Sequence, residues 1–347
     1  MNNRLGDRKL LFSLIAASIL TVIALTSMLL WVLRSEPTPT ANQATNASSF
    51  AFAAVGDFDT TPEFNKVLSQ IRSSSTDFTL ALGDFSYAHS SERQWCDTIR
   101  STLGSTYPFE LIPGNHDDED GSTMANYAEC LPNRISALQG EYGRQYFFDY
   151  KGTARIIAVS PDVTIRGGTY QYTKGSAPYQ WLSDRIDESR KNSTWTIVAM
   201  HKNCLTIGGK PCEIGRDVFD LLVDKRVDLI LQGHEHAYLR TSQLTSNSSC
   251  PSAMPTYNEK CVANNTPEGP YRQGEGPVLV INGTGGAPIR NARLNDPLRP
   301  YFTSIHAPNS DPSYGPSLFT ITKDSISAKY VDTAGQTKDS FTIRRQK

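Results

Sequence analysis

Five short segments of this sequence end in side chains that can bind a metal ion or transfer a proton. They are Gly56-Asp57-Phe58-Asp59, Gly83-Asp84-Phe85-Ser86-Tyr87, Gly114-Asn115-His116-Asp117, His201, and Gly233-His234-Glu235-His236. Their carboxylate, carboxamide, phenol and imidazole groups suit Fe, Zn and Mn better than softer ions. If these groups met in one place, the chemistry open to them would be metal-assisted hydrolysis.

The placement of histidine supports this interpretation. The chain has six histidines, and four of them lie in these segments. A single Asp at a strand end is usually a turn or cap residue, and a single His is more often a hydrogen-bonded surface group. Five such segments in one chain are much harder to explain in that way. The remaining two, His89 and His306, are expected at the surface.

The elements that must position these segments can be read from the apolar pattern. Each segment follows a short apolar run typical of a buried strand, and the predicted strands are 51–55, 78–82, 109–112, 196–200 and 228–232. Helical patterns lie between them, beginning at Pro62 and covering about 91–103, 121–130, 178–191 and 215–226. This alternation predicts an α/β fold whose ligand sites lie beyond the carboxyl ends of the strands.

In their order and spacing, the five segments resemble the motifs of the calcineurin-like metallophosphoesterase superfamily. Tyr87 and the run Gly233-His234-Glu235-His236-Ala237-Tyr238 are similar to those of the purple acid phosphatases within it. The resemblance implies a four-layer α-β-β-α sandwich with two metal ions at one edge. It also implies a phosphatase that hydrolyses phosphomonoesters by attack of a metal-activated hydroxide.

The resemblance also implies a role for each site residue. Asp57, Tyr87 and His236 would bind a first metal, Fe(III) in purple members; Asn115, His201 and His234 would bind a second, divalent Fe, Zn or Mn; and Asp84 would bridge both. His116 would stabilise phosphoryl oxygens or protonate the leaving alcohol, and Asp117 could orient it. A single bridging carboxylate is a simple way to hold two metals about 3.5–4 Å apart.

The first segment departs from the family pattern. Asp59 stands where the family usually has Gly and where non-purple relatives place a His ligand, so it could compete with Tyr87 for the first metal. A second hypothesis is therefore a phosphodiesterase or nucleotidase of the same superfamily with a non-purple centre. A third is a non-catalytic binding protein at the cell surface, which the retention of all seven ligand positions disfavours. Lys202, next to His201, is expected to be exposed.

The N-terminal segment predicts export. Residues 10–33 carry no charge and, at about 1.5 Å per residue, are long enough to cross a bilayer as a transmembrane signal anchor. Basic residues in 1–9 favour a cytoplasmic tail, and 34–49 has the composition of a flexible stalk. Residues 50–347 would then form an extracytoplasmic phosphoesterase domain. The alternative is an unusually long cleaved signal and a secreted protein.

Cysteine usage and charge agree with an exported enzyme. Six cysteines allow 15 disulfide pairings. Sequence proximity favours Cys204 with Cys212 and Cys250 with Cys261, which leaves Cys96 with Cys130. Sequons at Asn46, Asn192, Asn247, Asn264 and Asn282 are compatible with a glycosylated surface. A net charge of −1 gives no indication of a nucleic-acid partner, so the expected partners are a phosphate-ester small molecule and the membrane.

Overall fold

Two large β-sheets dominate the computed structural model of the chain, which describes residues 49–118, 123–192 and 194–346. In chain order, the strands are β1 (Phe50–Val55), β2 (Phe78–Ala81), β3 (Phe109–Leu111), β4 (Gln139–Glu141), β5 (Gln145–Tyr150), β6 (Ala154–Ala158), β7 (Thr164–Ile165), β8 (Gly168–Thr169), β9 (Trp195–Ala199), β10 (Leu229–Gln232), β11 (Tyr238–Thr241), β12 (Gln243–Leu244), β13 (Val262–Asn264), β14 (Tyr271–Arg272), β15 (Val278–Asn282), β16 (Phe302–His306), β17 (Ser317–Ile321), β18 (Ser325–Val331) and β19 (Thr337–Arg344). The helices are α1 (Pro62–Ser73), α2 (Glu92–Leu103), α3 (Met124–Cys130), α4 (Ala177–Lys191) and α5 (Arg216–Asp224), with 3-10 turns at Glu259–Cys261 and Arg299–Tyr301.

The order of the strands brings the predicted segments to one edge. The first sheet runs β14-β19-β18-β17-β1-β2-β3 and the second runs β16-β11-β15-β10-β9-β6-β5-β4. Strands β1, β2 and β3 are mutually parallel, as are β6, β9, β10 and β15. All five predicted strands lie in these parallel groups, so their carboxyl ends can supply one site. Two further two-stranded sheets pair β7 with β8 and β12 with β13.

Helix α1 shows why the local sequence folds as predicted. The Thr61 hydroxyl accepts the backbone N–H of Phe64 at 3.3 Å, and Pro62 takes the first turn, where no N–H is needed. The predicted apolar positions, Phe64, Val67, Leu68 and Ile71, are the buried ones. This face packs against the first sheet.

Three apolar cores separate four layers. Between the sheets, the Phe78 ring lies 5.2 Å from the Phe52 ring of the first sheet and 5.7 Å from the Phe148 ring of the second. On the outer face of the first sheet, α1, α2 and α3 contribute side chains such as Trp95. On the outer face of the second, α4 and α5 contribute side chains such as Leu182 and Val218. The predicted α-β-β-α sandwich is therefore confirmed.

Three disulfides join the six cysteines in the predicted pairs. They are Cys96–Cys130, Cys204–Cys212 and Cys250–Cys261. The first links α2 to α3, and the second closes a loop after β9. Residues 1–48, which contain the predicted tail, membrane helix and most of the stalk, lie outside the described residues. In the part of the chain that is described, no helix has the length and apolar character needed to cross a membrane.

Candidate metal centre

The backbone turns sharply where the strands deliver the site residues. Asp57, Asp84, Tyr87 and His234 all have positive φ, between 51° and 70°. Non-glycine residues rarely adopt this left-handed conformation, and it costs of order 1–3 kcal/mol where it occurs. The surrounding hydrogen bonds hold it: His234, for example, donates its backbone N–H to Asp57 Oδ2 at 2.8 Å. The turns direct four side chains towards one place.

A first ligand group forms around Asp57. Oxygen and nitrogen atoms of Asp57, Asp84 and His236 lie within 4.8 Å of one another, and all three residues are buried. Asp57 Oδ1 lies 3.2 Å from His236 Nε2. The Tyr87 hydroxyl lies 3.1 Å from Asp57 Oδ1 and 3.0 Å from His236 Nε2. The structure thus brings together the four residues predicted around the first metal.

A second ligand group shares Asp84. Atoms of Asp84, His201 and His234 also lie within 4.8 Å of one another. His201 Nε2 lies 3.3 Å from Asp84 Oδ1 and 3.0 Å from His234 Nδ1. Asn115 Oδ1 is buried and has no hydrogen-bond partner among the described residues, as expected of an atom free to bind a cation.

The outer hydrogen bonds of the histidines determine which nitrogen faces this centre. His201 Nδ1 lies 2.7 Å from the Leu82 carbonyl, His236 Nδ1 lies 2.9 Å from the Pro288 carbonyl, and His234 Nε2 contacts the Glu213 carboxylate. Carbonyl and carboxylate oxygens only accept, so each of these nitrogens carries the proton. In neutral imidazoles the opposite nitrogen then turns a lone pair towards the other ligand atoms of its group. Three such lone pairs and two buried carboxylates fit a metal centre.

Burial and neighbouring charges act in opposite directions on the pKa values of this site. Burial alone would raise the pKa of Asp84, but His201 and His116 outweigh it and hold that pKa below its ordinary value. Burial alone would lower the pKa of His201, but Asp84 and Asp57 raise it to about 9. The carboxylates therefore attract positive charge to His201 Nε2, where a proton and a metal ion would compete.

His116 and Asp117 occupy the turn after β3. The His116 backbone N–H donates to Asp84 Oδ1 at 3.0 Å, and its partly exposed ring lies 4.8 Å from the Tyr87 ring. The buried Asp117 carboxylate accepts the backbone N–H groups of Asp84, Phe85 and Gly114 at 2.6–2.9 Å. Burial, then the charge of Asp84, raises the pKa of Asp117 to about 7. Asp117 thereby joins the loops that carry Asp84 and His116.

Asp59, Lys202 and His306 lie outside the two ligand groups. The Asp59 carboxylate accepts the backbone N–H of Thr60 at 2.7 Å and lies 2.6 Å from His89 Nδ1, and it belongs to neither described ligand group. Lys202 is not exposed as expected: its side chain is 12% exposed, and its Nζ lies 3.0 Å from Asp162 Oδ2. His306 was also expected at the surface, but it is buried against Tyr238.

The sequence motifs did not predict a role for two carboxylates that lie beside the centre. Glu235 is buried and accepts the backbone N–H groups of Gly209 and Lys210 at 2.9 and 2.7 Å, which holds the loop after His201 against the centre. Its position inside the last segment was the available signal. Glu213 lies in an irregular loop and contacts His234 Nε2. Only its place directly after the disulfide-bonded Cys212 sets it apart in the sequence.

This chain is similar to known phosphoesterases. The calcineurin-like phosphoesterase family model matches residues 50–238. Purple acid phosphatase 22 of Arabidopsis thaliana is 29% identical over 214 residues, which cover 58% of this chain and 47% of that protein. A purple acid phosphatase of Glycine max is 24% identical over 294 residues, covering 79% of this chain and 58% of its own.

A solved structure shares the fold. The purple acid phosphatase PPD1 from yellow lupin (Lupinus luteus) seeds superposes with a TM-score of 0.66 at 20% identity, covering 86% of this chain and 54% of that chain. The chain spans about half the length of the curated Arabidopsis relative and of this lupin structure.

Proposed function

We propose a function from the premise that this chain belongs to the calcineurin-like phosphoesterase family. It is a two-metal phosphatase that hydrolyses phosphomonoesters. The observation that best supports the proposal is the pair of buried ligand groups that share one carboxylate, Asp84. A shared carboxylate is what a centre with two closely spaced metals requires.

The donor sets support different metals at the two positions. Asp57, Tyr87 and His236 would hold one metal, with Fe(III) favoured by a phenolate; Asn115, His201 and His234 would hold a divalent Fe, Zn or Mn; and Asp84 would join them. When bound, the metals would supply Lewis-acid activation of water and of the phosphoryl group. Burial and the charges of Asp57 and Asp84 raise the pKa of Tyr87 well above its ordinary value. The phenol would therefore release its proton only to bind a metal ion that is a strong Lewis acid.

His116 is the group proposed to act on substrate. Its ring is partly exposed beside Tyr87. The hydrogen bond from its backbone N–H to Asp84 holds the backbone from which the ring projects. A ring N–H of His116 can donate to a phosphoryl oxygen or pass its proton to the leaving alcohol oxygen. Asp117 orients His116 through the backbone of the turn that it holds.

We propose that catalysis takes place outside the membrane. Residues 1–9 would form a cytoplasmic tail, 10–33 a signal anchor, 34–49 a stalk and 50–347 the catalytic domain, with glycans at the sequons. Treating intact cells with a membrane-impermeant protease tests this, because only an anchored outward-facing domain is released by the treatment. Activity already free in the medium would instead support a cleaved signal, and a domain resistant until lysis would contradict both.

The centre itself is tested by metal content and the visible spectrum of the purified full chain. About two metals per chain, including iron, with a tyrosinate-to-iron charge-transfer band that Tyr87→Phe abolishes, would support the Fe(III) position. Two metals without iron or colour would reject Fe(III) and keep the phosphoesterase. No bound metal after reconstitution would contradict the proposal.

Activity tests the shared carboxylate and the substrate class. Asp84→Asn keeps the shape and an acceptor oxygen but removes the charge, so kcat for an aryl phosphate should fall at least roughly 10³-fold, about 4 kcal/mol. Wild-type kcat in this variant would reject the site. Comparing an aryl monoester with the matching diester separates the monoesterase from the phosphodiesterase hypothesis.

A further inference from the structure

Glu213 lies behind the imidazole of His234. One carboxylate oxygen, Oε2, contacts His234 Nε2, while Nδ1 on the other side of the ring faces His201 Nε2 at 3.0 Å. The two ring nitrogens point in different directions, so Glu213 touches His234 on the side away from His201. The carboxylate therefore lies outside the ligand groups described above.

This contact selects the tautomer of His234. A carboxylate accepts hydrogen bonds and does not donate them, so Nε2 carries the proton and Nδ1 keeps its lone pair. A carboxylate on the far nitrogen of a metal-binding histidine also fixes the ring orientation and makes the binding nitrogen more basic. Among the described contacts, Glu213 is the one that holds Nε2 of this ring.

Glu213 is itself held in place. Its backbone N–H donates to the Asn203 carbonyl at 3.0 Å, and the preceding residue, Cys212, is tied to Cys204. Lys202 Nζ lies 3.7 Å from Glu213 Oε1 and 3.0 Å from Asp162 Oδ2. The carboxylate thus has a backbone tether and a mostly buried counter-charge, in contrast to a surface acid that moves freely.

We infer that Glu213 is a positioning residue that presents His234 Nδ1 to the second metal. Lys202 holds the Glu213 carboxylate in place, and Asp162 in turn holds Lys202. The inference rests on the proposed two-metal function, because it assigns Glu213 to one half of that centre. Its distinctive consequence is that Glu213 affects one metal position and not the other.

The test is a competition titration of the full chain with Zn²⁺ against a chromophoric chelator, which yields a dissociation constant for each bound equivalent. Glu213→Ala should weaken one equivalent by at least about tenfold and leave the other unchanged. Glu213→Gln keeps an oxygen that can accept from Nε2, so it should recover part of that affinity. Asp217→Ala is the matched control, because Asp217 lines the same cavity of about 280 Å³ as Glu213 and is exposed.

The outcomes separate the inference from the proposed function. Wild-type protein that binds fewer than two equivalents would overturn the two-metal centre itself. Two equivalents in the wild type with unchanged constants in Glu213→Ala would overturn only the role of Glu213. A uniform loss at both positions, matched by a lower melting temperature of the metal-free protein, would also overturn it, because that pattern indicates a general structural role.

Discussion

Glu110 lies in β3 with its side chain fully buried, and its Oε1 accepts the backbone N–H of Arg134 at 2.9 Å. Its other oxygen, Oε2, has no partner among the described residues. Burial is the largest cause of its raised pKa, which reaches about 7. Asp84 is similarly buried, but its neighbours His201 and His116 lower its pKa. At similar burial, the neighbours of a carboxylate therefore decide the direction in which its pKa moves.

Glu110 should make the stability of the protein depend on pH. Its folded-state pKa of about 7 exceeds the ordinary glutamate value of 4.5, so the folded state binds more protons between these values. The free energy of unfolding therefore falls as pH rises through that window. Glu110→Gln removes this pH dependence while keeping an acceptor oxygen for the backbone N–H of Arg134. Relative to the variant, the free energy of unfolding of the wild type should fall by roughly 2–3 kcal/mol between pH 4.5 and 7.5. Urea unfolding at each pH measures this difference.

The exposed Glu129→Gln provides the control for that series. It should give a free-energy difference from the wild type that is small at every pH. A pH-independent difference between wild type and Glu110→Gln would mean that Glu110 is ionised in the folded protein, contrary to the argument from burial.

At the scale of elements, the turns after the strands are packed so closely that glycine is required. A Cβ built on Gly114, in the turn after β3, would lie 2.1 Å from Asp84 Oδ1 and 2.5 Å from the Asp84 backbone nitrogen. The turns after β2 and β3 thus touch directly, and Asp117 bonds them together. The position of the shared carboxylate depends on this contact.

Gly114→Ala should therefore damage the centre more than the fold. The added methyl group must displace Asp84 or its turn, at a cost of about 1–3 kcal/mol for overpacking. We expect at least one metal equivalent to be lost while the circular dichroism spectrum is retained. Gly209→Ala is the control, because a Cβ there meets no atom within 4 Å. Full metal content in Gly114→Ala would show that the turns can separate without loss of the site.

The elements were predictable where the sequence is periodic or carries a motif. Phe64, Val67, Leu68 and Ile71 recur at helical spacing and are buried as predicted, and the apolar strands end in the predicted turns. The contact between Glu213 and His234 could not be predicted, because it joins two loops without periodicity. The same holds for Lys202 with Asp162. These pairings depend on the path of irregular backbone, which one sequence does not specify.

At the scale of the whole molecule, an ion pair joins the two sheets. Arg240 lies in β11 of the second sheet and is 1% exposed, and its guanidinium makes two hydrogen bonds to Asp339 of β19 in the first sheet, at 2.5 and 2.8 Å. Tyr238 donates its hydroxyl to the same carboxylate at 2.7 Å. Residues about 100 positions apart in the chain thus meet in polar contacts that complement the apolar core between the sheets.

Breaking this pair from one side should cost more than removing it entirely. Asp339→Asn leaves the buried Arg240 guanidinium without a counter-charge, so the free energy of unfolding should fall by about 3–5 kcal/mol in urea unfolding. Arg240→Met combined with Asp339→Leu buries no charge and should recover part of that loss. The recovery is incomplete because the buried Tyr238 hydroxyl loses its acceptor. Lys338→Met, which removes the more exposed pair with Asp311, should cost under about 1 kcal/mol. If Asp339→Asn cost no more than Lys338→Met, the Arg240–Asp339 pair would not be needed to hold the sheets together.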